Sequence, residues 1–74
     1  MDCPVCGSPA QDLPPTFDGK GIRCRDCGDY DISGSVYELG ELPKLGLEER
    51  RAALERARRS ARPGKRPMIT TYCL

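Results

Sequence analysis

The stretch Cys3-Pro4-Val5-Cys6-Gly7 returns in kind as Cys24-Arg25-Asp26-Cys27-Gly28. Seventeen residues separate Cys6 from Cys24, giving two C-x2-C pairs at the spacing of a four-thiolate zinc site. Two residues between cysteines let one tight turn aim both sulfurs at one point, and two such turns complete a tetrahedron. Cys3, Cys6, Cys24 and Cys27 are therefore the candidate ligands of one Zn²⁺ per chain. Glycine follows each pair, at Gly7 and Gly28, where such a turn needs a positive φ without steric cost. The backbone N–H groups of these turns can then donate to the sulfurs. Four thiolates on Zn²⁺ leave a formal charge of −2, which Lys20, Arg23 and Arg25, close by in sequence, are placed to offset.

Other uses of paired cysteines fit less well. Iron in a rubredoxin-like site uses the same turns, but the shorter gap between pairs and the 5% aromatic content point away from it. Disulfides need an oxidising compartment. A thioredoxin-like pair needs a βαβ unit, for which the chain is too short. A catalytic zinc keeps a position open for water, whereas four cysteines close the site and the chain has no histidine. No enzyme is expected.

At 74 residues the chain suffices for one small domain, numbered 1–74. Folding at this size buries only about 60% of the unfolded surface. A metal supplying about 10–16 kcal/mol of apparent binding energy is the expected staple. Charge is unevenly spread. Residues 1–47 carry a net −4 and residues 48–74 a net +5. Asp2 and Cys3 follow Met1 at once, no signal-like apolar run follows, and nothing approaches the roughly 20 apolar residues of a membrane span. A cytoplasmic setting is expected, where thiols stay reduced. Cys73 belongs to neither pair and reads as a spare thiol on a frayed terminus.

The metal-binding turns and strands are expected over 1–33. Pro14 and Pro15 leave room only for an irregular or edge segment near 11–15. A β-hairpin is predicted over 16–24, turning at Asp18-Gly19 and anchored by Phe17 and Ile22. Tyr30 and Ile32 alternate with aspartates as in a half-buried strand. Helices are expected over 34–62. Ser35-Val36-Tyr37-Glu38 matches a capping box, with Ser33 the alternative cap. Val36, Leu39 and Leu42 share the face of a short helix that ends by Pro43. A longer helix follows Gly46, with Glu48 and Glu49 in its first turn and Pro63-Gly64 at its end. Its apolar face is Leu47, Leu54, Ala57 and Ala61, with Ala53 alongside. Residues 63–74 carry the tail and a terminal strand over 68–72.

Cys3-Pro4-Val5-Cys6-Gly7-Ser8-Pro9-Ala10, the Asp18-Gly19-Lys20-Gly21 turn and the run from Cys24 through Asp29-Tyr30-Asp31-Ile32-Ser33 resemble the zinc-ribbon module of bacterial proteins of unknown function. The helix led by Glu48-Glu49-Arg50-Arg51 and the Pro67-Met68-Ile69-Thr70 strand extend the resemblance over most of the chain. It implies a small metal-stabilised α+β fold: a zinc ribbon with two CxxCG knuckles, a β-hairpin, a short helix, a longer helix and a C-terminal strand. It implies the same four cysteine ligands and no activity.

Function then reduces to interaction. One expected partner is nucleic acid. Arg50, Arg51, Arg56, Arg58, Arg59, Arg62, Lys65 and Arg66 supply the charge, and Arg51, Arg58 and Arg62, on one side of the long helix, are the candidate contacts. The plainer reading is a solvated face paired with Glu48, Glu49 and Glu55, and aromatic residues that stack on single strands are missing from it. The other expected partner is a protein covering Tyr37, Leu39, Leu42 and Leu45. A different class is thiol or redox chemistry, or a metal response, through Cys73 or a labile zinc site.

Overall fold

The computed structural model describes residues 1–15 and 18–74. Four strands form one sheet in the order β1 (Ala10–Leu13), β2 (Lys20–Cys24), β3 (Gly28–Ile32) and β4 (Met68–Ile69). The first three pair antiparallel, and β4 joins β3 in parallel. A parallel neighbour needs a crossover. Here it is the segment carrying α1 (Gly34–Leu39), a 3-10 turn at Leu42–Lys44, and α2 (Leu47–Ser60). No helix among the described residues is long and apolar enough to cross a membrane.

The β2–β3 register puts Ile22 opposite Tyr30 and Arg23 opposite Asp29. Side chains alternate across a strand, so one face collects Ile22, Tyr30 and Ile32 and the other collects charge. Arg23 meets Asp29 there at 3.2 Å. The apolar face joins Val5, Val36, Leu42, Ala53, Leu54, Ala57 and Ile69 in the core, and Cys3 and Cys24 close one end of that cluster. Helix α2 packs against β4 and the C-terminal turn. Small alanines at positions 53 and 57 allow its close approach.

The first hairpin differs from expectation. Thr16 and Phe17, the start of the predicted outgoing arm, lie outside the described residues. The strand paired with β2 is Ala10–Leu13, and it is an edge strand, the one role the nearby prolines permit. Asp18 and Gly19 do not close a two-residue hairpin turn, because β2 pairs back to Leu13 through a longer connection; they form a bend just before β2 that serves the next element as well. Gly19 has φ +88°, and a Cβ there would stand 2.0 Å from the Ile32 carbonyl oxygen. Asp18 Oδ1 accepts the Gly34 N–H at 3.3 Å, and Ser33 Oγ accepts that of Val36 at 3.3 Å. Ser33 is therefore the N-cap, and the Ser35 box does not form. The bend supplies a second acceptor one residue into the helix, which favours the earlier start.

Several predicted core positions also move. Helix α1 stops at a left-handed Gly40, so Leu39 is exposed while Leu42 enters the core from the 3-10 turn. Leu47 is exposed because α2 begins there, ahead of its contact with the sheet. Asp31 is only 1% exposed, although the alternating pattern placed it outside. The C-terminal segment covers it: Arg66 Nη2 lies 3.2 Å from Asp31 Oδ1 and donates to the Pro14 carbonyl at 2.7 Å.

The terminal strand is two residues long. The chain then tightens into a 3-10 turn at Thr71–Cys73, which turns Tyr72 out and Cys73 in. Cys73 is buried at 6% exposure, and Arg56 Nη1 holds its carbonyl at 2.7 Å. The frayed-thiol reading is thereby corrected, because the arginine tie and the turn dock the tail on α2. Cys73→Ser should lower the melting temperature by several degrees, for a cost of about 1 kcal/mol of buried polarity. Its metal content should match the parent's. Calorimetry with elemental analysis checks this, and equal melting temperatures would mean the tail is not docked.

Candidate metal centre

The two turns meet because β2 carries one of them to the other. Strand β1 leaves the first knuckle and pairs with β2, setting Ala10 opposite Cys24. The second knuckle is the tight connection between β2 and β3, with Cys24 opposite Gly28. The first knuckle is closed by its own backbone. Cys3 N–H donates to the Ser8 carbonyl at 2.7 Å, Gly7 N–H to the Cys3 carbonyl at 2.8 Å, and Asp2 bridges Pro9. Gly7 and Gly28 take φ +80° and +81°, as the spacing predicts. Ser8 Oγ lies 2.8 Å from Asp26 Oδ2 and joins the two turns directly.

Four sulfurs result, all within 4.8 Å of one another, and they can hold a metal ion. The cross-knuckle separations are 3.5 Å for Cys6 to Cys24 and 3.9 Å for Cys3 to Cys27. Metal–sulfur bonds of about 2.3 Å in a tetrahedron place the sulfurs about 3.8 Å apart, so the cluster fits one tetrahedral ion. Cys3 and Cys24 are buried. Cys6 and Cys27 are half-buried and line a cleft of about 230 Å³ with Asp26, Arg51, Leu54, Glu55 and Arg58.

The proton chemistry of the bare cluster is uneven. Burial raises the Cys6 thiol, but the Ser8 hydroxyl and backbone N–H beside its sulfur outweigh that and bring it down to about 6. Burial pushes Cys24 up, against the N–H groups of Cys27 and Asp26. Burial and the adjoining sulfurs of Cys6 and Cys3 push Cys27 up strongly. A first thiolate thus discourages its neighbours, as like charges must. A bound divalent cation reverses that order and favours all four thiolates together.

Tyr30 was read from sequence only as a core residue, yet its hydroxyl lies 3.0 Å from Cys3 Sγ in a fully buried position. Burial, then the Cys3 sulfur, drives its own pKa up, so it stays protonated and able to donate. The signal available in the sequence was its place three residues past Cys27, in the middle of the strand that leaves the knuckle.

The basic residues divide differently from expectation. Lys20 pairs with Asp12 at 3.0 Å and Arg23 with Asp29, so neither is committed to the sulfurs. Arg25 makes no hydrogen bond or ion pair with the described residues. Helix α2 supplies the contacts instead. Arg50 Nε donates to the Val5 carbonyl at 2.8 Å, and Arg58 Nη2 donates to the Cys27 carbonyl. Of the predicted arginine row, Arg58 is thus held at the second knuckle and by Glu55 at 2.9 Å. Arg51 and Arg62 are exposed and make no ion pair with the described residues. No signal in the sequence separated Arg50 and Arg58 from their neighbours.

Tyr30→Phe should keep the fold and weaken metal retention by about tenfold, the worth of about 1.4 kcal/mol for one hydrogen bond to a charged sulfur. Competition with a chelator of known affinity checks it, and unchanged retention would reduce the hydroxyl to a packing contact. The chain matches no known protein-family model, no curated protein and no solved structure.

Proposed function

We propose that Cys3, Cys6, Cys24 and Cys27 hold one structural Zn²⁺, and that the chain is a zinc-ribbon module acting through its surface, without catalysis. The observation that carries this reading is the closed set of four sulfurs at tetrahedral separation, with two of them buried. Zinc suits it because four thiolates select a soft, tetrahedral ion, and a closed set leaves no ligand position for substrate. Iron satisfies the same geometry and is the alternative that metal analysis separates. The purified protein should contain about one zinc per chain, and a strong chelator should unfold it, since the binding energy is folding energy. A metal-free protein with an unchanged far-UV spectrum would end the reading.

For the partner, the exposed charge favours an anion. Arg51, Arg59, Arg62 and Lys65 are exposed and make no ion pair with the described residues, whereas Arg50, Arg56, Arg58 and Arg66 are bonded within the fold. The proposed nucleic-acid contacts are accordingly Arg51 and Arg62, with Arg59 in place of Arg58. The competing apolar surface is smaller than the sequence suggests, because Leu42 is buried, Leu45 is half-buried, and only Tyr37 and Leu39 remain exposed. Thiol chemistry through Cys73 has little support from a buried sulfur. A labile site would act through the half-buried Cys6 and Cys27. If duplex DNA binds through three arginines, the log–log salt slope should be about −2.7. Changing all three to alanine should flatten it without unfolding the helix. Titration at two salt concentrations decides, and no binding at low salt would leave a protein partner.

A further inference from the structure

Helix α2 contributes no sulfur, yet it reaches both knuckles. Arg50 donates from Nε to the carbonyl of Val5, which lies between Cys3 and Cys6, and from Nη1 to the Leu45 carbonyl at 2.9 Å. Arg58 donates from Nη2 to the carbonyl of Cys27 and from Nη1 to Glu55. We propose that Arg50 and Arg58 are the positioning residues of the metal centre: two guanidinium groups on one helix that hold the knuckles together and set how slowly the metal leaves. This rests on the four-cysteine metal reading and extends it to residues that bind no metal.

The physics is that of a strut. The two arginines stand eight positions apart, about 12 Å along a helix axis. The helix is anchored by the buried Ala53, Leu54 and Ala57 that lie between them. Each knuckle is closed internally by its own backbone bonds, so a metal can leave most readily when one knuckle swings away from the other. Such a swing breaks the Arg50 bond at the first knuckle or the Arg58 bond at the second. Both bonds are charge-assisted, hence stronger than neutral ones, and the planar guanidinium fixes a direction as well as a charge. Each arginine is also held by a second acceptor, Leu45 or Glu55, which aims it before the metal arrives. Positive charge beside a centre of net −2 favours the loaded state further. Arg59, on the same helix, is exposed and makes no such bond, so it is the internal control.

The test uses the full chain. Cobalt(II) loading comes first. One equivalent should give intense thiolate-to-metal absorption and tetrahedral ligand-field bands, and their absence would overturn the metal reading itself. With those bands present, zinc transfer to a chromogenic chelator is timed for Arg50→Ala, Arg58→Ala and Arg59→Ala. The temperature is one at which all far-UV spectra coincide. Arg50→Ala and Arg58→Ala should each release metal about tenfold faster, the scale of one charge-assisted bond, and their cobalt bands should broaden. Arg59→Ala should release it at the parent rate. Rates within twofold of the parent for both knuckle arginines would overturn the proposal, as would equal acceleration in Arg59→Ala. Where an alanine variant fails to fold, Arg50→Gln and Arg58→Gln keep the stem and helix preference. The same acceleration is expected of them, and the parent rate would overturn the proposal.

Discussion

Four sulfur atoms within 4.8 Å are the constraint on which the rest of this chain depends. Such a cluster is unstable as bare charge. Protonated, it is a small polar void; ionised, it repels itself. A cation favours all four thiolates together, and the sheet brings the four sulfurs to one place where they can hold one. Cys24 ends β2 and Gly28 begins β3, so the knuckle and the strand connection are the same turn. Tyr30 runs from the second knuckle into the core and returns its hydroxyl to Cys3 of the first. The candidate metal site and the hydrophobic core therefore share residues. In a chain this short the two contributions cannot be separated, because the apolar face alone has few large side chains to bury.

Three of the five arginines on α2 are tied into the fold rather than left to the surface. Arg50, Arg56 and Arg58 each end on a backbone carbonyl distant in sequence, at Val5, Cys73 and Cys27. Carbonyls at tight turns and chain ends lack ladder partners, and a long cationic side chain satisfies them without a strand. The apolar stripe of α2 is shallow, mostly alanine. Three directed, charge-assisted bonds give the helix a defined seat that so little shape would not. Of the arginines on or just past the helix, Arg51, Arg59 and Arg62 are the exposed ones that make no ion pair with the described residues, Arg62 lying two residues beyond the end of α2.

The readable part of this fold was the part governed by local rules. Cysteine spacing, glycine after each pair, the Tyr30 and Ile32 alternation and the extent of α2 all follow from interactions within a few residues. What was not readable came from distant segments. Ser33 rather than Ser35 caps α1 because Asp18 supplies a second acceptor from a bend far back in the chain. Asp31 breaks its alternating pattern because Arg66 folds over it. Cys73 is buried because Arg56 holds its carbonyl. Among the arginines, which ones face inward depends on where the knuckles lie, and helical spacing carries no information about that.

The parallel strand shows what such distant ties accomplish. Strand β4 has two residues, Met68 against Asp31 and Ile69 against Ile32. Two residues have little ladder to define a register, and a slip of one would turn Ile69 out of the core and Met68 in. The backbone bonds Asp31 N–H to Pro67 and Ser33 N–H to Ile69 fasten it at 2.8 and 2.9 Å. Arg66, two residues before the strand, meets a carboxylate that is 1% exposed. Burying that pair gains little net stability, since desolvation offsets most of the attraction. Its value lies in what a slip would cost, because any other register leaves a buried carboxylate without its cation. The charge on Asp31 therefore acts as a register pin for the shortest strand. Because α2 packs against β4, the register of that short strand also bears on the seat of the helix that carries Arg50 and Arg58.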